Sequence, residues 1–258
     1  LNSFDILLMG DSFAEGSCVK QEHEPANLFQ NNHQLKTYNI GISGNGPLLS
    51  LALAHEIKLI TEFDYIVWFI FDNDFYDLGI EINSNYLKKY LDKDFVSHNY
   101  FSQIKSNTDF QKNYIEENLN SFKSGFSLKE SILELKPLIY RINKLISQKE
   151  PEDSIGYDKG MFEKIFNKIV YLYPDKKIFV VYLPETTCFK KRSTECSQRF
   201  NEISSLSDKI IYLNFFEYLE NNFQNYKEIY ALGQDRAHFS PTGYNQLVKF
   251  IYNKIQSY

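Results

Sequence analysis

Hydrophobic residues fall in short runs that alternate with segments of helical spacing. The segments predicted to be strands occupy residues 4–9, 35–40, 64–71, 177–183 and 209–213. The segment 64–71 is continuous, β-branched and aromatic, which is typical of a central strand that is covered on both faces. Helical spacing or helix signals occupy residues 15–19, 24–31, 48–60, 157–173, 196–207 and 241–255. Ser240 is placed to cap the last helix. The alternation predicts a parallel sheet of about five strands with helices on both faces.

The middle of the chain departs from this alternation. Residues 75–156 contain no convincing strand, and apolar residues recur there at helical spacing, at Leu128, Ile132, Leu135, Leu138, Ile142 and Leu145. We expect one domain over residues 1–258, with a helical insertion or lid at about 75–156. It follows the third strand, so a place beside a functional site and a purely structural role are both open.

Composition narrows the class of protein. A chain of 258 residues with 43% hydrophobic content can bury one large core. Its formal net charge of -5 and the absence of a basic stripe argue against a nucleic-acid partner. No run approaches the roughly 20 apolar residues of a membrane span. The start at Leu1 leaves an upstream signal or membrane anchor open, so the expected location is either exported or cytoplasmic.

Three cysteines do not form a disulfide framework. Cys188 and Cys196 flank a polar loop and could form a local bridge if the protein is exported. Cys18 would then remain unpaired. Three reduced thiols are the alternative.

Residues suited to nucleophilic chemistry lie near both ends of the chain. Ser12, in the sequence Gly-Asp-Ser-Phe, directly follows the first predicted strand, where parallel α/β proteins place reactive groups. A serine hydroxyl needs a base. His238 is the best candidate base, and Asp235, one helical turn earlier in sequence, could orient it.

An attacked carbonyl also needs hydrogen-bond donors for its developing oxyanion. Gly44, in the loop after the second strand, offers an unobstructed backbone N–H. Asn73, after the third strand, offers a side-chain amide. Taken singly, Gly44 could instead be a helix-entry turn and Asn73 an Asx turn.

These residues occur in the order of four motif blocks, and the chain resembles the SGNH (GDSL-type) hydrolase family. Gly-Asp-Ser-Phe around Ser12 matches the nucleophile block, Ser-Gly-Asn around Gly44 the glycine block, Asn-Asp at Asn73 the asparagine block, and Asp-x-x-His from Asp235 to His238 the base block. The resemblance covers residues 1–78 and 157–258. It implies a flavodoxin-like three-layer α/β/α sandwich.

The resemblance also implies roles for the site residues. Ser12 would be the nucleophile, His238 the general base and Asp235 its orienter, with the Ser12 and Gly44 N–H groups and the Asn73 amide as the oxyanion hole. No metal or organic cofactor would be needed. The chain departs from the family's Gly-x-Asn-Asp block by having Phe71 at the glycine position, which alters the wall of the expected acyl pocket.

The expected activity is a serine esterase that removes a small acyl group, preferably acetyl on a carbohydrate. One alternative is the acetyltransferase domain of a polysaccharide O-acetyltransferase, which would receive its acyl group from a membrane-bound partner. Another is a noncatalytic module that binds a glycan or a protein. The acidic residues Asp72, Asp74 and Asp77 offer a weaker alternative, a divalent-metal site.

Overall fold

The computed structural model describes residues 2–98, 159–189, 193–223, 225–231 and 238–258. Residues 1–97 and 157–258 group as one compact unit. The predicted insertion or lid lies mostly at residues 99–158, outside the described residues, and its role stays a prediction. Its described beginning is helical, with short helices up to residue 91.

Five parallel strands form the central sheet. They are β1 (Ile6–Met9), β2 (Thr37–Asn39), β3 (Tyr65–Ile70), β4 (Lys177–Tyr182) and β5 (Ile210–Asn214). Their order is β2-β1-β3-β4-β5, with every neighbouring pair parallel. This is the flavodoxin-like order, in which the chain reverses direction across the sheet between β1 and β3. The predicted fold class is confirmed.

Helices flank the sheet. Their bounds are α1 (Ser12–Glu15), α2 (Pro25–His33), α3 (Pro47–Ile57), α4 (Asp74–Glu81), α5 (Asn85–Lys88), α6 (Lys159–Leu172), α7 (Ser193–Ser204), α8 (Phe215–Asn222) and α9 (Pro241–Ile255). Helix α2 packs against α9, and α3 packs against α6. Single 3₁₀ turns lie at Gln21–His23, Lys89–Leu91, Thr186–Phe189 and Tyr226–Glu228. None of the helices within the described ranges has the length and apolar character needed to cross a membrane.

The central strands β1, β3 and β4 are buried on both faces, whereas the edge strands β2 and β5 are only partly buried. In β3, Val67 and Phe69 join a cluster with Phe29 of α2 and Leu247 of α9. Trp68, the residue between them, is buried as well and meets an α6 ring edge-on at 5.4 Å between centroids. Because side chains alternate along a strand, the helices must cover both faces.

Most predicted bounds agree with the structure to within three residues, and Ser240 caps α9 by accepting a hydrogen bond from the Gly243 N–H. The helix predicted at residues 15–19 is wrong. Helix α1 instead begins at Ser12, because Asp11 caps it, and ends where Gly16 takes a φ of 92°. Helix α8 and a two-stranded ladder between Asn2–Ser3 and Thr61–Glu62 were not predicted, because such short segments carry little periodic signal.

A matched pair of leucine substitutions tests the position of the core. Leu247 is fully buried under the sheet, whereas Leu59 is 69% exposed. Leu247→Ala should lower the free energy of unfolding by about 2–5 kcal/mol, because it removes buried contacts and leaves a cavity. Leu59→Ala should change it by less than about 0.5 kcal/mol. Urea denaturation measures both, and equal effects would contradict this assignment of the core.

Candidate active site

The serine after β1 stands at a tightly constrained turn. Gly10 has a φ of 140°, and a Cβ there would lie 2.9 Å from the carbonyl oxygen of Phe69, so the turn requires glycine. The buried Asp11 carboxylate accepts from the N–H of Phe13 at 2.9 Å. Ser12 is therefore held as the first residue of α1, at the carboxyl end of a central strand.

A hydrogen bond joins Ser12 to the histidine near the other end of the chain. Nε2 of His238 lies 2.7 Å from Oγ of Ser12. The backbone of His238 is fixed in turn, because its carbonyl accepts from the N–H of Ala231 and the next residue, Phe239, pairs with Tyr230 in an antiparallel bridge. The structure thus brings the two residues into one site across 226 positions of sequence.

The environment of His238 favours its neutral form. Partial burial lowers the pKa of the imidazole below its ordinary value of 6.5. The negative charges of Asp11 and Glu15 act in the opposite direction and are the smaller effect. A neutral imidazole within hydrogen-bond distance of a hydroxyl can accept its proton.

The other ring nitrogen of His238 faces Cys18. Nδ1 lies 3.4 Å from the exposed Cys18 Sγ, and Cys18 adopts a left-handed φ of 72°. Asp235, the predicted orienter, lies outside the described residues. Its role stays a prediction, and Cys18 is a neighbour of the ring that no sequence pattern indicated.

Gly44 lies in an exposed loop between β2 and α3, with a φ of 85°. A Cβ at this position would meet no atom within 4 Å. The residue before it, Ser43, donates its N–H and its hydroxyl to the Glu15 carboxylate, and its Oγ lies 3.2 Å from Oγ of Ser17. The loop is therefore attached to the helix that begins at Ser12.

Asn73 lies directly before α4. Its amide nitrogen donates to Oδ2 of Asp77 at 2.8 Å, and the nearby amide lowers the pKa of the Asp11 carboxyl. Its Oδ1 is buried and has no hydrogen-bond partner among the described residues. Since β2, β1 and β3 are adjacent, the three predicted oxyanion donors follow three neighbouring strand ends.

Three carboxyl groups near Asn73 have raised pKa values. Burial is the main cause for Asp11, Asp74 and Asp77, and the charge of Asp11 raises the pKa of the other two further. Asp74 is fully buried and accepts from the Phe71 N–H at 2.7 Å. The ionised forms of these three carboxyl groups are therefore destabilised on this side of the site.

Asp72 points elsewhere. It accepts from the Tyr182 hydroxyl at 2.8 Å and pairs with Arg199 of α7 at 2.7 Å. The three aspartates proposed as an alternative metal site therefore have separate protein partners, and no group of three or more metal-ligating side chains occurs in the described part of the chain.

Aromatic rings line the site beside Ser12. The Phe13 ring lies 4.9 Å from the His238 ring and 4.4 Å from the ring of Phe71, centroid to centroid. Phe71 occupies the position where the family has glycine. Its side chain is packed against the core rather than standing free, so it forms part of a solid aromatic wall.

Cys188 and Cys196 form a disulfide, and Cys18 is free. The bridge ties the 3₁₀ turn after β4 to α7, which carries Arg199. Of the two arrangements that the sequence left open, the structure has the bridged one.

Several residues around the site were not found from the sequence. Cys18 and Glu15 carry no signal, because their contacts depend on how separate loops meet. Glu81, whose carboxylate accepts from the N–H groups of Gly46 and Leu48, follows Asn73 by two helical turns. The spacing from Asn73 to Asp77 and Glu81 is the one signal that could have indicated a polar helix face.

No known family model matches the chain, and no curated protein sequence matches it at a significant level. Solved structures do resemble it. A family 3 carbohydrate esterase of Clostridium thermocellum is 13% identical, aligns over 98% of this chain and 94% of its own, and has a TM-score of 0.50. A protein of Lactobacillus plantarum is 12% identical over 99% and 98%, with a TM-score of 0.51.

A lipolytic protein of the G-D-S-L family from Veillonella parvula is 11% identical over 96% of each chain, and its TM-score of 0.47 is too low to add to the comparison. At these identities the likeness concerns the fold alone. Ser12, Gly44 and Asn73 follow β1, β2 and β3, and His238 precedes α9. Together with the strand order, these positions and the structural likeness show that the chain has the SGNH (GDSL-type) hydrolase fold.

Proposed function

We propose that the protein is a serine esterase that removes a small acyl group, acetyl above all, from a hydroxyl of a carbohydrate. The observation that carries the proposal is the 2.7 Å contact between Oγ of Ser12 and Nε2 of His238. A serine hydroxyl becomes an effective nucleophile when a neutral imidazole can take its proton.

In the first half-reaction, Ser12 Oγ attacks the acyl carbonyl carbon while its proton moves to Nε2 of His238. The carbonyl oxygen becomes an oxyanion, which accepts hydrogen bonds from the N–H groups of Ser12 and Gly44 and from the Asn73 amide. Collapse of this intermediate breaks the ester bond, and the imidazolium returns the proton to the leaving alcohol. The product is an acyl-serine.

Water completes the cycle by the same route. His238 removes a proton from the water as it attacks the acyl-serine, a second oxyanion forms in the same place, and Ser12 leaves with the proton. Each step moves a proton between groups that the site already supplies, so the proposal needs no cofactor.

The aromatic wall supports a small acyl group. Phe71 fills the family's glycine position and packs on Phe13, directly beside the His238 ring. A filled wall leaves less room for a long acyl chain than glycine would. The Clostridium thermocellum structure with the same fold is a carbohydrate esterase, which agrees with an acylated sugar as substrate.

The disulfide supports an exported location. Disulfides persist in oxidising compartments and are rare in the cytosol of most organisms. The Cys188–Cys196 bridge is therefore compatible with a protein that meets its carbohydrate outside the cytoplasm.

Substitution of the nucleophile tests the proposal directly. Ser12→Ala should reduce hydrolysis of p-nitrophenyl acetate by at least about 10³-fold, because the attacking oxygen is lost. Ser205→Ala removes an exposed hydroxyl of the same kind and should have no effect. Undiminished hydrolysis by Ser12→Ala would refute the proposal.

The acyl-length preference is tested on the wild type, whose initial rates should fall steeply from acetyl to butyryl to octanoyl esters.

The oxyanion role of Asn73 predicts a loss in turnover rather than in substrate binding. Asn73→Ala should lower kcat by on the order of 10²-fold with little change in KM, because the donor acts mainly on the transition state. Asn83, an exposed asparagine that donates to a backbone carbonyl within its own helical region, provides the control. If Asn73→Ala keeps the kcat of Asn83→Ala, then Asn73 is only a helix-start residue.

A third comparison separates the two candidates that could act on Nδ1 of His238. If Asp235 orients the ring, Asp235→Asn should lower kcat by about 10²- to 10⁴-fold, because an amide no longer stabilises the imidazolium. Cys18→Ala removes the thiol beside the same nitrogen and should cost less than about 3-fold. Steady-state measurement of kcat for both variants shows which residue orients the ring. The reverse order of losses would assign the orienting role to Cys18.

A further inference from the structure

Glu81 is a buried carboxylate at the end of α4, the helix that begins just after Asn73. Its Oε1 accepts from the Gly46 N–H at 2.7 Å, and its Oε2 accepts from the Leu48 N–H at 2.8 Å. Gly46 is the residue directly before α3 and Leu48 lies in its first turn, so neither N–H has a partner inside that helix. Glu81 therefore caps α3 from a different helix and holds its start in place.

The Glu81 carboxylate lies close against the backbone at Gly46. A Cβ at Gly46 would lie 2.6 Å from Oε2 of Glu81. A larger residue at position 46 would push the end of the Glu81 side chain away from its present place. The two hydrogen bonds therefore fix the backbone at Gly46, two residues after Gly44, to the end of α4.

A second carboxylate holds the other side of the same loop. Glu15, on the helix that begins at Ser12, accepts from the N–H and the hydroxyl of Ser43. Gly44 lies between these two attachments, and a Cβ there would meet no atom within 4 Å, so no packing against a side chain at this position would hold the loop. The direction of the Gly44 N–H therefore depends on the hydrogen bonds that hold Ser43 and Gly46.

We propose that Glu81 is a positioning residue for the oxyanion hole, which fixes the Gly44 loop relative to Asn73, while Glu15 fixes the same loop relative to Ser12. This inference rests on the esterase function proposed above. It means that the three donors, which follow three separate strands, are connected by two carboxylates. Glu81 touches no substrate, and its effect passes through the backbone at Gly46 and Leu48.

The protonation of Glu81 gives the inference a distinctive consequence. Burial raises the pKa of Glu81 to about 7, against the hydrogen bonds from Leu48, Gly46 and Leu49 that lower it. Asp77 on the same helix adds repulsion, and the charge of Glu81 is felt by Asp74. From α3, the groups that face the carboxylate are backbone N–H groups. Glu81 should therefore ionise near neutral pH.

Ionisation has opposite effects on stability and on positioning. Because the folded-state pKa lies above the ordinary value of 4.5, the contribution of Glu81 to stability is complete below pH 4.5 and is lost as the pH rises through about 7. The ionised carboxylate, however, can accept both N–H bonds fully, whereas the acid has one oxygen occupied by a proton. We expect turnover to rise with pH over the range in which this part of the stability falls.

The experiment compares Glu81→Gln with Glu56→Gln. Glu56 is also buried and accepts hydrogen bonds from Tyr90 and Ser97, so it controls for the loss of a buried carboxylate. At pH 8, Glu81→Gln should lower kcat for p-nitrophenyl acetate by about 10- to 100-fold with KM unchanged, as expected for a misplaced donor. Glu56→Gln should keep the wild-type kcat for its folded fraction, which circular dichroism measures.

The pH profile adds a measurement that loss of stability alone would not move. In the wild type, the acid limb of kcat should extend to about pH 7, where Glu81 titrates. In Glu81→Gln the acid limb should lie below pH 6.5, because His238 is then the remaining group whose ionisation lowers kcat, and its pKa lies below 6.5. If Glu81→Gln does not fold, the wild-type profile and the exposed Glu15→Gln variant, with the same expected loss in kcat, still test the inference.

A kcat for Glu81→Gln equal to that of Glu56→Gln, with an unchanged acid limb, would overturn the inference. That result leaves the esterase itself intact, since the wild type would remain active and Ser12→Ala inactive. Failure of the proposed function would look different, because the wild type would then hydrolyse no ester in a Ser12-dependent way, and the inference would fall with it.

Discussion

The site depends on the hydrogen bond between Ser12 and His238, and that bond depends on how the sheet is ordered. Helix α9 packs on α2, and Phe239, the residue after His238, pairs with Tyr230 in an antiparallel bridge. These contacts bring His238 to the carboxyl end of β1. Strand β1 lies between β2 and β3. Residues that directly follow any of these three strands therefore lie near one another at the carboxyl edge of the sheet.

Electrostatics shape what this region can do. Aspartates surround Asn73, yet burial raises the pKa of Asp11, Asp74 and Asp77 and so opposes the accumulation of negative charge where an oxyanion would form. Burial also keeps His238 in its neutral, proton-accepting form. The carboxylates that face backbone N–H groups hold loops in place instead of repelling a substrate.

Much of this arrangement could be predicted from the sequence, because it rests on periodicity and on order along the chain. The predicted strand segments located the five strands, and the positions after the first three located Ser12, Gly44 and Asn73. The sequence missed the start of α1, since the cap at Asp11 depends on one local hydrogen bond. It also missed Cys18, Glu15 and Glu81, whose contacts form only once separate loops are packed together.

If His238 makes Ser12 nucleophilic, then phosphorylation of the active-site serine measures this effect independently of the natural substrate. Diethyl p-nitrophenyl phosphate transfers its phosphoryl group to activated serines, and peptide mass spectrometry locates the adduct. We expect one diethylphosphoryl group on Ser12 in the wild type and at least about 10²-fold slower labelling in His238→Ala. Labelling of Ser12 at the same rate in both proteins, or no adduct on Ser12 at all, would contradict the activation of Ser12 by His238.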